Sequence, residues 1–209
     1  MTEYTLYYYP GYASLPVHLA LGHIGAAYKL VKIDVSAGEG QTETYRAINP
    51  HGQVPALEFD GFRMNQTIGI LEFLAQRHPK AGLAPPITDE SANASYHMWL
   101  AYLSTTLQER FQPFFHPDRY VDQEVQYDDV RIVAERYLNE MFTWIESQLR
   151  PGPYLLGERL SMPDFLLVTL IRWGRFLTPS VAERGRLADF NKTVRALPFA
   201  KRVLELEGV

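Results

Sequence analysis

The sequence predicts an α/β domain followed by an all-α domain, and three observations support this prediction. Strand and helix patterns alternate through residues 1–79, a segment at 80–86 is rich in Gly, Ala and Pro without periodicity, and residues 89–209 show helical periodicity alone. The 209 residues are enough for two domains that each bury a core. We therefore expect a first domain over 1–79, a linker over 80–88 and a helical domain over 89–209.

The first domain is expected to have the element order β-α-β-α-β-β-α. Ser14 is placed to cap the first helix, Pro16 lies in its first turn and Gly25 ends it. Asp60-Gly61 separates two apolar runs, which favours a tight hairpin turn. The predicted segments are strands at 3–9, 28–35, 54–59 and 62–64, and helices at 14–24, at 41–48 and from 65–67 onward.

The second domain is expected to be a helical bundle. Residues 89–115 are mostly helical and end near Pro113, and apolar side chains recur at helical spacing from Val130 to Ile145. Ser161 and Asp164 have the spacing of a capping box, in which each side chain accepts a hydrogen bond from the other residue's main-chain N–H. The last two helices are predicted at 186–196 and 198–207.

The composition narrows the possible partners and chemistry. The formal net charge is −4 with scattered Lys and Arg, and no apolar run can cross a bilayer, so we expect neither a nucleic-acid nor a membrane partner. The first residues lack signal-peptide features, which favours a cytoplasmic location. His18 and His23 have no companions at ligand spacing, so we expect no metal site. Because cysteine is absent, any sulfur chemistry must use the thiol of a ligand.

Two motifs in the first domain suggest a binding site. If the Val54–Pro55 bond is cis, Val54 can turn its N–H and C=O outward to pair with an extended peptide; alternatively, Pro55 merely begins an edge strand. Gln66-Thr67 stands at a helix N-terminus, which favours an anion, and the Thr67 hydroxyl adds a donor there. The alternative is that Thr67 only caps its own helix.

The order and spacing of these motifs resemble the cytosolic glutathione transferases over essentially the whole chain. The linker and the capping box continue the resemblance, and the start, from Tyr8 to His18, looks most like the bacterial beta class. The resemblance implies a thioredoxin-like first domain, a C-terminal helical bundle, a homodimer, and glutathione as cosubstrate with no other cofactor. The matching run is Asn49-Pro50-His51-Gly52-Gln53-Val54-Pro55-Ala56-Leu57, followed by Gln66-Thr67, Ile68, Leu71 and Leu74.

The resemblance also assigns parts of glutathione to residues of this chain. By position, the Val54 main chain pairs with the cysteinyl part, and Pro55 is the cis-proline. Gln66 and Thr67 hold the γ-glutamyl end. The candidates for the glycyl end are His51 and Gln53.

The sequence departs from the beta class at several positions. Ala13 stands where that class has its cysteine, and the His-Lys pair of its helical domain falls on Gln108 and Glu109. The Asn of the same helix falls on Ala101, and residues 36–40 replace a Lys-rich stretch. Mixed-disulfide chemistry through a protein cysteine is therefore excluded.

A ligand thiolate would need a hydroxyl donor from the protein. A free thiol has a pKa of ~8.5, and one hydrogen bond with a helix dipole lowers this pKa by roughly one to two units. Ser14, at the start of the first helix, is the first candidate, and its alternative role is an N-cap. Tyr8 is the second candidate, and its alternative role is a strand tyrosine packed in the sheet. Tyr12 can reach over the sulfur or line the substrate cleft.

The leading hypothesis for function is a transfer in which bound glutathione, held as the thiolate, attacks an electrophilic carbon of a small apolar substrate. Glutathione-dependent reduction of disulfides or peroxides is an alternative, and a non-catalytic protein that binds glutathione or apolar ligands is another. Ala13-Ser14 does not match the Ser-Ser-Cys start that isomerase members tend to carry. The aromatic side chains that can wall the electrophile pocket, or instead pack in the helical core, are Tyr102, Phe111, Phe114, Phe115 and Trp173.

Overall fold

A computed structural model of the chain describes residues 3–209 and contains two compact units. The first unit holds the described residues up to Pro85 together with Val194–Val209, and the second holds Pro86–Thr193. The strands are β1 (Tyr4–Tyr8), β2 (Tyr28–Lys32), β3 (Ala56–Phe59) and β4 (Phe62–Asn65). The helices are α1 (Leu15–Ile24), α2 (Glu43–Arg46), α3 (Thr67–Arg77), α4 (Glu90–Ala101), α5 (Glu109–Phe115), α6 (Tyr127–Gln148), α7 (Met162–Trp173), α8 (Gly185–Arg195) and α9 (Pro198–Glu207).

The first unit is built on one mixed sheet with strand order β2-β1-β3-β4. Strand β1 is parallel to β2 and antiparallel to β3, and β3 is antiparallel to β4. Side chains alternate along β1, so that Tyr4 donates to or accepts from His78 after α3 at 2.8 Å, while the Tyr7 ring packs against Tyr45 of α2. Helices therefore cover both faces of the sheet. The predicted element order is confirmed, and the fold is thioredoxin-like with a helical second unit.

The predicted hairpin is also confirmed. Asp60 and Gly61 both have positive φ, at 48° and 76°, as a two-residue type I′ turn requires. The second strand is shorter than predicted and ends at Lys32, because the Ile33 N–H makes the last bond to β1 before the chain turns away.

The last helix, α9, packs in the first unit rather than in the helical one. Its buried residues include Val203, whose side chain fills the space beside Gly22 of α1; a Cβ atom at Gly22 would lie 2.8 Å from Val203 Cγ2. The Phe199 ring meets the edge of His23 at 4.9 Å between ring centroids. The sequence grouped 89–209 together because helical periodicity does not reveal which core a helix joins.

The second unit contains the predicted capping box at the start of α7. The fully buried Asp164 carboxylate accepts hydrogen bonds from the Ser161 N–H at 2.7 Å, the Ser161 hydroxyl at 2.8 Å and the Leu155 N–H at 2.7 Å. The box therefore also anchors the loop before α7. Earlier in this unit, a π-helical segment at Tyr102–Gln108 joins α4 to α5, and the helix continues past Pro113 to Phe115. Among the described helices, none is both long and apolar enough to span a membrane.

The Asp164 carboxyl gives the stability of this unit a defined pH dependence. Burial raises its pKa from 3.8 to about 6, although hydrogen bonds from Leu155 and Ser161 oppose the shift. The folded state therefore holds the proton more tightly than the unfolded state, so this contribution is fully present below about pH 4 and is lost as the pH rises through about 6. The Asp164→Asn protein lacks this titrating group and serves as the reference. We expect the difference in unfolding free energy, native chain minus Asp164→Asn, to fall by up to about 3 kcal/mol as the pH rises from about 4 to above about 6. Urea titrations of both proteins across the range measure this difference, and a difference that grows with pH would contradict it.

Candidate functional site

The predicted site residues converge at one edge of the sheet. Ala56 pairs with both Tyr7 and Asn65, so the segment before β3 and the segment after β4 lie side by side near the end of β1. The Thr67 hydroxyl donates to the Ala13 carbonyl oxygen at 3.0 Å and so joins the start of α3 to the turn that precedes α1. Three loops thus meet where the sequence predicted a ligand.

Val54 offers an unused pair of main-chain groups at this edge. The Val54–Pro55 peptide bond is cis, as the resemblance implies. Within residues 3–209, neither the N–H nor the C=O of Val54 forms a hydrogen bond. Buried main-chain donors and acceptors normally have partners, so these two groups are available to a ligand. An extended peptide can pair with both of them as an added strand.

The preceding loop fixes the direction of the Val54 N–H. The Tyr45 hydroxyl and the Asn49 side-chain amide both donate to the Gln53 carbonyl oxygen, each at 2.7 Å. Because the C=O and N–H of a trans peptide point in opposite directions, this clamp turns the Val54 N–H away from the loop. Burial raises the pKa of Tyr45 to about 12, which keeps its hydroxyl a donor at neutral pH. Asn49 also accepts the His51 N–H at 3.2 Å.

The start of α3 presents free N–H groups and an unusual backbone conformation. Gln66 is exposed and has φ 74° and ψ 107°, a region that residues other than glycine rarely adopt. The first N–H groups of α3, from Thr67 to Gly69, have no acceptor inside the helix and form the positive end of its dipole. The Thr67 hydroxyl proton is engaged by Ala13. An anion here would therefore be held by main-chain N–H groups. The Thr67 hydroxyl, which was expected to donate to the anion, donates to the Ala13 carbonyl oxygen instead.

The turn before α1 is closed by Ser14, which is completely buried. Its hydroxyl donates to the Tyr9 carbonyl oxygen and accepts the Tyr9 N–H, both at 3.2 Å, and it does not cap its own helix. Ser14 therefore stands at the expected N-cap position of α1, but its hydroxyl neither caps the helix nor is a free donor. Tyr12, in the same turn, is 42% exposed and meets the Tyr9 ring edge-on at 4.7 Å.

The Tyr8 hydroxyl, unlike that of Ser14, is not engaged by another described residue. Tyr8 is half-buried at the end of β1, where its ring meets the edge of His18 at 6.1 Å. No hydrogen bond to this hydroxyl is formed by any residue between 3 and 209. A hydroxyl without a protein partner is free to donate to a ligand atom.

His51 and Gln53 lie on the exposed side of the loop. Their position suits the outer end of a peptide that pairs with Val54.

The sequence did not reveal the roles of Tyr45 and Asn49. Asn49 stands in the matching run, but an asparagine before proline predicts only a turn. Its role becomes visible only in the structure, where its side-chain amide donates to the Gln53 carbonyl oxygen. In the described part of the chain, no group of three or more His, Asp or Glu can hold a metal ion.

Aromatic side chains cluster within the second unit. Phe111 is 1% exposed and belongs to the core, which was the alternative role considered for it. Phe115 stacks on Phe111 at 5.6 Å, meets Trp173 and Phe176 edge-on, and is 37% exposed. The outer members of this cluster, Phe115 and Phe176, therefore expose apolar surface to solvent.

Comparison with known proteins agrees with this arrangement. The family description "Glutathione S-transferase, N-terminal domain" matches residues 2–76, and "Glutathione S-transferase, C-terminal domain" matches 102–198. A glutathione S-transferase of Escherichia coli O157:H7 is 29% identical over 98% of each chain, and a maleylacetoacetate isomerase of Mus musculus is 27% identical over 91% of this chain and 86% of its own. A Sulfitobacter glutathione transferase homologue, solved with bound glutathione, superposes with a TM-score of 0.91 at 28% identity over the full length of both chains.

Proposed function

The chain belongs to the glutathione S-transferase family, and we propose that it holds glutathione as the thiolate and transfers it to an electrophilic carbon of a small apolar substrate. The observation that carries this proposal is the unpaired main chain of Val54 beside the free N–H groups of α3. Together they match an extended peptide with a carboxylate at one end.

The proposed binding mode follows the three loops. The cysteinyl N–H and C=O of glutathione pair with the C=O and N–H of Val54. The γ-glutamyl carboxylate lies at the first N–H groups of α3, beside the Gln66 side chain, and the glycyl end extends toward His51 and Gln53. This arrangement is supported by the clamp on the Gln53 carbonyl oxygen and by the exposure of Gln66.

We propose Tyr8 as the donor to the glutathione sulfur and Ser14 as the residue that holds the turn. The support is that the Ser14 hydroxyl is engaged by Tyr9, whereas the Tyr8 hydroxyl has no partner among residues 3–209. The thiol proton leaves to solvent, the thiolate forms a carbon–sulfur bond, and the leaving group departs with the electrons of the bond that breaks. The enzyme contributes a lowered thiol pKa and proximity.

The proposal also includes an oligomeric state and a cellular location. A homodimer is supported by Ile132 and Trp144, which are exposed along a groove of about 720 Å³ on α6. A cytoplasmic location fits the cosubstrate, because the cytosol maintains reduced glutathione.

Steady-state assays with glutathione and an aryl halide test the proposed activity. We expect a thioether product and release of halide at a rate well above that of glutathione alone. Turnover of an organic peroxide or a mixed disulfide without thioether formation would instead identify a reductase. Calorimetric binding of glutathione without either reaction would identify a binding protein.

Asn49→Ala is expected to weaken glutathione binding about tenfold, because the Gln53 carbonyl oxygen loses one of its two donors and the Val54 N–H loses its fixed direction. Isothermal titration calorimetry measures the affinity. Asn93→Ala, a change on α4 in the other unit, is the matched control and should bind normally. An Asn49→Ala protein that is folded and has the native affinity would contradict the role of the clamp.

A further inference from the structure

A carboxylate from the end of the chain is buried beneath the turn that precedes α1. The Glu207 side chain is 0% exposed, its Oε2 accepts the Gly11 N–H at 2.8 Å, and its Oε1 accepts a hydrogen bond from His18 Nδ1 at 2.7 Å. A buried carboxylate is tolerated only when it is paired and hydrogen-bonded. Glu207 therefore ties α9 to two separate points of the first unit.

Both of these points bear on the proposed thiolate site. Gly11 has φ 72° and lies in the turn whose other end is closed by Ser14 and Tyr9. Because a glycine has no side chain, it is held through its main chain, and the Gly11 N–H bond to Glu207 fixes the middle of this turn together with the Tyr12 N–H bond to the Tyr9 carbonyl oxygen at 3.2 Å.

The second point is the ring on which Tyr8 rests. Glu207 orients His18 through Nδ1, while His18 Nε2 bonds the Tyr28 hydroxyl at 3.1 Å. An imidazole bonded at both nitrogens cannot rotate, and its edge meets the Tyr8 ring at 6.1 Å. The carboxylate thus acts on the turn through Gly11 and on Tyr8 through His18.

We propose that Glu207 is a positioning residue for the glutathione thiolate: its carboxylate holds the turn between β1 and α1, and through His18 the Tyr8 ring, in the conformation that receives the sulfur. This inference rests on the proposed function. Glu207 is fully buried and reaches the ligand only through other residues. The competing explanation is that the pair merely anchors α9 and contributes nothing but stability.

Three variants separate these explanations. Glu207→Ala and Glu207→Met remove both acceptor oxygens, and the methionine fills the vacated space if the alanine protein fails to fold. Glu207→Gln can accept the Gly11 N–H with its amide oxygen and donate its amide N–H to the other tautomer of His18. Val203→Ala is the matched control, because it removes buried packing from the same helix without touching Gly11 or His18.

The readouts are the pKa of bound glutathione, from the ultraviolet thiolate band, and the KM for glutathione. We expect Glu207→Ala or Glu207→Met to raise the thiol pKa by about one unit and the KM about tenfold, with both values near native in Glu207→Gln. Val203→Ala should lose stability and leave both values unchanged.

Two results would overturn the inference, and they are distinguishable from each other. If the native protein lowers the thiol pKa and the Glu207 variants lower it equally, Glu207 is only an anchor and the proposed function stands. If the native protein itself leaves the thiol pKa at its free value, the proposed function fails and this inference fails with it.

Discussion

Asp164→Ala is expected to lower the free energy of unfolding by about 3–5 kcal/mol. The change removes the acceptor for the Ser161 N–H, the Ser161 hydroxyl and the Leu155 N–H, all at a fully buried position. Each buried donor without a partner costs about 1–3 kcal/mol, and water cannot easily replace the lost carboxylate. Urea denaturation followed by circular dichroism at neutral pH measures the change.

An exposed cap on another helix provides the control for this prediction. Asp89 caps α4 through one bond to the Ala92 N–H at the surface, so Asp89→Ala should cost about 1 kcal/mol. The interpretation of Asp164 as the anchor of the loop before α7 would be wrong if the two alanine variants lost the same stability.

Tyr8→Phe is expected to raise the pKa of bound glutathione by about one unit and to lower kcat/KM by about 10–100-fold at neutral pH. The phenylalanine keeps the ring against His18 and removes only the hydroxyl that lacks a protein partner among residues 3–209. Because the ring contact is retained, the fold should be unchanged. The thiolate band of the complex, followed through a pH titration, gives the pKa directly.

Two controls make this test specific. Tyr7→Phe alters the neighbouring residue, whose ring packs on Tyr45 across the other face of the sheet, and should leave the thiol pKa unchanged. Ser14→Ala should cost about 1–2 kcal/mol of stability through its lost bonds to Tyr9, with a smaller effect on the thiol. A thiolate band that disappears in Ser14→Ala and persists in Tyr8→Phe would reverse the two roles.

Local patterns in the sequence were sufficient to predict most elements of the fold. Asp60-Gly61 has only one favourable turn type between two apolar runs, and Ser161 with Asp164 satisfies donors three residues apart, so neighbours along the chain decide both features. The direction of a hydroxyl proton, in contrast, is not decided by neighbours along the chain. Thr67 bonds Ala13, 54 residues away, and this contact decides that its proton is not free.

Long-range partners explain the rest of what the sequence could not predict. Glu207 meets Gly11 across 196 positions, and neither residue carries a local signal of that contact. A carboxylate near the end of an amphipathic helix is normally solvated, so sequence reasoning had no cause to place it beneath the turn before α1. The same limit applies to α9, whose apolar stripe fits a core in either unit.

Calorimetric titration with two matched ligands tests whether the Val54 main chain pairs with the cysteinyl part of glutathione. One ligand is glutathione and the other is glutathione methylated on the cysteinyl amide nitrogen, which removes the donor and leaves the charges and the thiol. We expect at least about tenfold weaker binding of the methylated ligand, the effect of one lost buried hydrogen bond. Equal affinity for the two ligands would contradict it.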